Sequence, residues 1–93
     1  MNETQEKINI ICSNLAKFLI EKNKRYGDSA LNPLNIFSKL SAEDGICVRL
    51  DDKLKRIQNN SKDVRKNDII DIAGYLLLYC VKKDWTSFDE FLD

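Results

Sequence analysis

The sequence predicts an all-α protein, a small bundle of three main helices with a short C-terminal helix. Three long segments place apolar residues at the three- and four-residue steps of a helix. Only three glycines and one proline occur, which disfavours the many tight turns of an all-β chain. The longest apolar segment, 69–81, never alternates with polar residues as a half-buried strand does.

Length and composition predict one globular domain spanning residues 1–93. Hydrophobic residues make up 43% of the chain, which is too apolar for a disordered protein. A chain of this length buries about 60–65% of its unfolded surface, so its core is marginal unless it oligomerises. The 15 basic and 15 acidic residues cancel, which excludes a whole-chain basic footprint for duplex DNA.

The sequence predicts a cytoplasmic protein. It has no apolar run long enough to span a membrane, and its first residues lack the basic and apolar regions of a secretory signal. Cys12, Cys47 and Cys80 are widely spaced and the chain has no histidine, which argues against zinc, a disulfide framework and catalysis by a histidine base. We expect buried, reduced thiols.

The first predicted helix runs from about Asn2 to Lys24, with Asn2 or Thr4 as its N-cap. Its apolar residues form a single stripe, which consists of Ile8, Ile11, Cys12, Leu15, Phe18 and Leu19.

The segment from Asn23 to Leu40 carries two turn signals, Tyr26–Ser29 and Asn32–Pro33. Because apolar residues interrupt it, we expect a loop with a short helical turn that folds back onto the core.

The second helix is predicted to begin at Ser41, its N-cap, and to end in Gln58–Ser61. The third starts within Asp63–Asp68, ends near Lys82 or Lys83, and is apolar around most of its circumference. Such a helix is central or lies in an oligomer interface, so we expect at least a dimer. A last helical turn, capped by Thr86 or Ser87, presents an apolar face made of Phe88, Phe91 and Leu92.

Two polar arcs interrupt the second and third helices. The first arc consists of Arg49, Asp52, Lys53 and Arg56, and the second of Asp68, Asp71 and Tyr75. The short connection predicts an antiparallel hairpin, in which the two arcs face each other across a groove. Such cations can hold phosphate, and carboxylates three residues apart can share Mg²⁺.

Simpler interpretations of these arcs stay open. Asp68 can serve only as a favourable charge at the helix start, and Asp52 can pair with Arg49 or Arg56 at the surface. Asp71 is different, because it lies among apolar residues where an unpaired carboxylate is costly. It requires an arginine of the second helix or a ligand as its partner.

The turn Tyr26–Ser29 is a second candidate site. Gly27 permits a positive φ, which would bring backbone N–H groups near a ligand. Tyr26 can stack on a base, and Asp28 or Ser29 can form hydrogen bonds with a sugar. The alternative is an ordinary turn with Tyr26 packed on the core.

Charge is unevenly distributed along the chain. The stretch Arg49–Lys66 has seven cations and three acids, whereas Asp84–Asp93 has four acids and no cation. No nucleic-acid-binding module is matched, so the sequence argues against nucleic acid as a partner. We expect Trp85, Phe88 and Phe91 to pack against the core or a sister subunit.

Three blocks of the sequence resemble the nucleotide-modification-associated, MazG-like proteins that are common in phage genomes. The blocks are Lys24–Ser29, Arg49–Ile57 and Asn67–Tyr75, and they lie in this order within roughly residues 22–80. These proteins are similar to the all-α NTP pyrophosphohydrolases. The resemblance implies an all-α core, often oligomeric, with a nucleotide site between central helices.

The acids that such enzymes use to bind Mg²⁺ are only partly present. The enzymes carry an ExxE motif on one helix and an ExxD motif on the next. The run Asp68–Asp71 has the spacing of the second motif. The first motif has no counterpart, since a step of three or four residues from Asp51 or Asp52 reaches Lys55 or Arg56 and no acid. Cations do not ligate Mg²⁺ but do neutralise phosphate, which favours phosphate binding over metal-assisted hydrolysis.

Three functional classes follow. We favour a phage-type protein that sequesters a phosphorylated nucleotide, such as a cyclic or ADP-ribose-derived messenger of antiphage defence, with no cofactor and as a homo-oligomer. A second class is a pyrophosphohydrolase whose Mg²⁺ is held by Asp68 and Asp71, with Asp52 or Asp28 completing the shell. A third is a helical interaction module. The first class assigns ligand binding to Arg49, Asp52, Lys53, Arg56, Tyr26, Asp28, Ser29 and Tyr75.

Overall fold

The computed structural model describes residues 1–60 and 63–92 and is helical throughout its regular structure. Helix α1 spans Glu3–Arg25, α2 spans Ala42–Asn60 and α3 spans Lys66–Lys83, followed by a 3-10 helix over Asp89–Phe91. No strand occurs among the described residues. The predicted all-α fold of three main helices and a short C-terminal helix is therefore confirmed.

Side-chain caps begin the first two helices where the sequence predicts them. The Asn2 side chain accepts a hydrogen bond from the Gln5 N–H at 2.9 Å, and the Gln5 side chain accepts one from the Asn2 N–H at 3.0 Å. Ser41 Oγ accepts a hydrogen bond from the Asp44 N–H at 3.1 Å. Both caps satisfy N–H groups that have no partner inside the helix.

Helices α2 and α3 form the predicted antiparallel hairpin. Glu43, near the start of α2, pairs with Lys83 at the end of α3 at 3.0 Å, and Arg56 lies 3.8 Å from Asp68 at the other end. The hydrogen bond and charge of Glu43 raise the pKa of Lys83. Ile46, which is only 1% exposed, is buried on α2.

Helix α1 packs against α3 at a glycine. A Cβ atom added to Gly74 would lie 2.8 Å from Leu19 Cδ2, closer than real Cβ contacts allow. One turn earlier on α3, Asp71 lies 3.9 Å from the ammonium of Lys22. The second half of α1 is therefore held against the middle of α3.

Helix α3 ends in a Schellman motif. Asp84 adopts the left-handed conformation, with φ of 58°, and the Trp85 N–H donates to the Cys80 carbonyl at 2.9 Å. The predicted cap at Thr86 or Ser87 is wrong. The final turn starts one residue later, because the Phe88 carbonyl accepts the hydrogen bond of the Phe91 N–H.

The segment between α1 and α2 does not fold onto the core as expected. Leu34 and Ile36 are exposed, and Phe37 is fully exposed, while Leu31 is half-buried. The segment and α2 together line a second, open cavity of about 550 Å³. The exposed apolar side chains of the segment therefore have no helix of the described residues packed over them.

Several other sequence expectations differ from the structure or lie outside it. Cys12 and Cys47 are exposed rather than buried, because both lie on helix faces that no other helix within residues 1–60 and 63–92 covers. Cys80 is half-buried. Phe88 and Phe91 are also exposed. Ser61 at the predicted end of α2, Lys62 of the basic stretch and Asp93 of the acidic one lie outside the described residues. No helix among the described residues is long and apolar enough to cross a membrane.

Candidate functional site

A cavity of about 280 Å³ lies where the end of α1 and the turn after it meet α2 and α3. It combines cationic, aromatic and apolar side chains from all three helices. Its lining consists of Phe18, Leu19, Lys22, Asn23, Tyr26, Ser29, Ala30, Arg49, Ile70, Asp71, Gly74, Tyr75 and Leu78. Gly74 keeps it open, since any side chain there would project between α1 and α3.

Asp71 is the carboxylate of this cavity and lies between two ammonium groups. Lys53 Nζ is 2.9 Å from Asp71 Oδ2, and Lys22 Nζ is 3.9 Å from Asp71 Oδ1. The prediction that Asp71 requires a partner is confirmed. The expected arginine is replaced by two lysines because the register of the hairpin places Lys53, rather than an arginine, opposite Asp71.

Arg49 contributes a further positive charge to the cavity. Its guanidinium carbon lies 5.9 Å from the centre of the Tyr75 ring, within the range of a cation–π interaction. Within residues 1–60 and 63–92, no carboxylate pairs with Arg49 at 4.0 Å or less. Its charge is therefore available to an anionic ligand.

Aromatic rings border the same cations on the α1 side. The Lys22 ammonium lies 5.2 Å from the centre of the Phe18 ring and 6.0 Å from that of Tyr26. Tyr26 is exposed, and its ring reaches the cavity from the end of α1. The cavity is thus lined by both cationic groups and aromatic rings.

The turn after α1 is held together by its own hydrogen bonds. Gly27 has the predicted positive φ, at 59°, and Asp28 follows it with φ of 58°. The N–H groups of Gly27, Asp28 and Ser29 all donate to backbone carbonyls, so the expectation that they face a ligand is wrong. The Asp28 carboxylate accepts hydrogen bonds from the side-chain amides of Asn23 and Asn32.

The structure divides the predicted site residues into two groups. Tyr26, Ser29, Arg49, Asp71 and Tyr75 line the cavity, and Lys53 reaches it through its ion pair with Asp71. The others lie elsewhere. Asp52 lines the second cavity beneath the 26–41 segment, Asp28 stabilises its turn, and Arg56 pairs with Asp68 outside the lining.

The two carboxylates considered as Mg²⁺ ligands point to different partners. Asp68 is 2% exposed and faces Arg56, whereas Asp71 faces Lys22 and Lys53. In the part of the chain that the structure describes, no group of three or more His, Cys, Asp or Glu residues is arranged to hold a metal. Asp71 is therefore ion-paired, whereas the buried Asp68 Oδ1 lies 3.8 Å from Arg56 and has no hydrogen-bond partner among the described residues.

Lys22 is the charged lining residue of the cavity that the sequence analysis did not assign to the site. It lies four residues after Phe18 and seven after Leu15, on the apolar stripe of α1. A charged side chain that continues an apolar stripe faces other elements rather than open solvent. The position of Lys22 on the apolar stripe therefore indicates a contact with another element. Which residue of α3 it meets depends on the angle at which α1 and α3 cross.

Comparison with protein-family models, curated proteins and solved structures finds no match to this chain. The fold and the site together define a small all-α protein with a cationic, tyrosine-lined cavity between its three helices.

Proposed function

We propose that this protein binds and sequesters a small phosphorylated nucleotide in the cavity without hydrolysing it. The observation that carries the proposal is that Lys22 and Arg49 line the cavity together with a single carboxylate, Asp71, which also pairs with Lys53. Three cations and one anion leave a formal charge of about +2 at the site by ordinary protonation states.

A phosphate group supplies the anion that this cluster lacks. The guanidinium of Arg49 can hold two phosphate oxygens at once, and ammonium groups such as Lys22 act as point charges. Helices bury part of the cluster, since Lys53 is only 20% exposed, so its field is screened less than on an open surface. These features favour an anion over a neutral ligand.

The two tyrosines and the size of the cavity suit a nucleoside attached to that phosphate. Tyr26 and Tyr75 offer aromatic faces on which a base can stack, and stacking is worth about 1–3 kcal/mol per base. A volume of about 280 Å³ lies at the small end of ligand pockets, which span about 300–1,000 Å³. One nucleotide unit fits this volume better than a polymer does.

The occupied carboxylates support binding without hydrolysis. For Mg²⁺ to bind, Asp71 would have to leave two lysines, and Asp28 would have to leave two amides. The remaining candidate, Asp68, is buried and lies 3.8 Å from Arg56 without a hydrogen bond to it. The resemblance of three sequence blocks to MazG-like phage proteins supports a nucleotide as the ligand. Sequestration of a nucleotide messenger of antiphage defence is the biological role consistent with it.

The test is incubation of the protein with a panel of NTPs, dNTPs, cyclic oligonucleotides and ADP-ribose derivatives, with and without Mg²⁺. The filtrate is analysed by chromatography, and the protein is then denatured by heat and its released ligand analysed. We expect one nucleotide to leave the filtrate and to be recovered intact, also in EDTA. The Arg49→Ala variant should leave that nucleotide in the filtrate.

Two results would overturn the proposal. A converted product that requires Mg²⁺ would identify a pyrophosphohydrolase. Full recovery of every nucleotide in the filtrate, with no thermal shift by any of them, would instead favour a helical interaction module.

A further inference from the structure

The single chain exposes far more surface than a folded monomer of its mass. Its accessible surface is 7754 Å², whereas a 10.8 kDa monomer is expected to expose about 5,500 Å². Its radius of gyration is 15.3 Å, against about 12 Å for a compact domain of this length. The excess of about 2,200 Å² requires an explanation.

Exposed apolar side chains lie on two helix faces, in addition to those of the segment between α1 and α2. The outer face of α3 consists of the exposed side chains of Ile69, Leu76 and Leu77, with the half-buried Ala73 and Cys80 between them. The free stripe of α1 consists of Ile8, Ile11 and Cys12, and it continues the stripe that Leu19 buries against α3. Leu76 is 52% exposed and Ile11 is 59% exposed.

The apolar residues on these faces recur at the spacing found where two helices pack together. Ile69, Ala73, Leu76 and Cys80 follow one another at steps of four, three and four residues, which is the repeat of a helical seam. Every residue of α1 before Leu15 is exposed, so the first half of this helix projects without a neighbour from residues 1–60 and 63–92. Monomeric soluble proteins seldom expose contiguous apolar faces of this kind to water.

We propose that a second copy of this chain covers the outer face of α3 and the free stripe of α1. The missing burial of about 2,200 Å² per chain matches obligate homo-oligomers, in which each protomer buries about 1,000–2,500 Å². The zero net charge of the chain imposes no repulsion between copies.

The charges of α1 also suit pairing with itself. Its first turn carries Glu3 and Glu6, whereas its last turn carries Lys22, Lys24 and Arg25. Two antiparallel copies of the helix place opposite charges side by side, as in a two-fold symmetric contact. A parallel arrangement would place like charges together.

The experiment is light scattering on the purified full chain at micromolar concentration, with matched variants. We expect a mass of at least twice 10.8 kDa for the native chain. Leu76→Glu and Ile11→Glu should each lower the mass, while Leu54→Glu should not. Leu54 is a matched control, because it is 57% exposed, lies on α2 and belongs to neither face.

A second measurement needs no substitution and guards against variants that fail to fold. Cys12 and Cys47 are both exposed in the single chain, but only Cys12 lies in the free stripe of α1. We expect a thiol reagent to modify Cys47 at least tenfold faster than Cys12 in the native protein. Equal rates would contradict the proposal.

The proposal is also overturned by a native mass of 10.8 kDa, or by an oligomer whose mass neither substitution changes. A stoichiometric complex with a different protein would likewise refute a second copy as the occupant. Assembly and nucleotide binding are separate properties, so the failure of one experiment leaves the other proposal standing.

Discussion

Lys53 Nζ lies 2.9 Å from Asp71 Oδ2, and the other oxygen of the same carboxylate faces Lys22 Nζ at 3.9 Å. One side chain of α3 is therefore bound by a lysine from α2 and a lysine from α1. Since Asp71 is only 23% exposed, this three-membered cluster is both a structural link and part of the cavity. The net charge of this cluster can be changed by replacing Asp71 with a neutral residue.

Replacing Asp71 with asparagine should destabilise the protein and make it more responsive to anions. We expect the free energy of unfolding to fall by about 1–2 kcal/mol, because two cations lose their shared partner. Inorganic phosphate at ten times its dissociation constant should then restore about 1.4 kcal/mol. Chemical denaturation with and without phosphate measures both effects.

The matched control for Asp71→Asn is Glu43→Gln. It breaks an ion pair of similar length, Lys83–Glu43 at 3.0 Å, between the same two helices but away from the cavity. Glu43→Gln should lower the free energy of unfolding by less than about 1 kcal/mol. Phosphate should stabilise this variant no more than it stabilises the native chain. An equal response to phosphate in both variants and the native chain would refute the anion site.

Removal of Arg49 should weaken nucleotide binding strongly. A charge-assisted hydrogen bond contributes about 1.5–3 kcal/mol, so Arg49→Ala should raise the dissociation constant by about 10- to 100-fold. The variant Lys55→Ala removes the same charge from the same helix, but Lys55 lines neither cavity. Titration calorimetry of both variants separates a specific contact from net charge, and similar losses would argue against Arg49 as a ligand-binding residue.

The two glycines inside helices should respond differently to alanine. Gly45→Ala places a methyl group in open space and should raise the free energy of unfolding by about 1 kcal/mol, the ordinary helix propensity difference. Gly74→Ala should raise the free energy of unfolding by less than Gly45→Ala does, or lower it, because the new Cβ would lie 2.8 Å from Leu19 Cδ2. Thermal unfolding of the pair tests the crossing of α1 and α3, and equal gains would contradict it.

Asp28 should matter for the turn rather than for the ligand. Asp28→Ala removes two side-chain hydrogen bonds and leaves a residue that disfavours a φ of 58°, so we expect a loss of about 2–3 kcal/mol. Asp28→Gly loses the same hydrogen bonds without the backbone penalty and should be about 1 kcal/mol more stable than Asp28→Ala. Denaturant unfolding compares them, and the reverse order would refute the role of backbone conformation.

Sequence reasoning was most successful where the determinants are local. The cap at Ser41 was predicted, the cap at Asn2 was one of two candidates, and the end of α3 was expected near Lys82 or Lys83. Capping and periodicity depend on residues a few positions apart. The hairpin brings Arg49 near Tyr75 and Lys53 to Asp71, as the facing of the two polar arcs implied. A short connection between two amphipathic helices leaves few other arrangements.

Residues far apart in the chain were harder to place. Nothing near Leu34 or Phe37 in the sequence indicates that these side chains are exposed, and their apolar character suggested the opposite. The exposure of Cys12 and Cys47 was missed for the same reason. Burial depends on which elements pack against a face, and a pattern of apolar residues shows only that a face is suited to packing.

The sequence by itself determined three helices, their ends and the pairing of α2 with α3, because hydrogen bonds and apolar spacing within each segment specify them. Only the tertiary structure decided that α1 meets α3 at Gly74, and that Lys22 thereby joins Asp71. That contact brings together residues about fifty positions apart. Its geometry depends on the absence of a side chain at one crossing point, and no local pattern encodes the angle at which two helices meet.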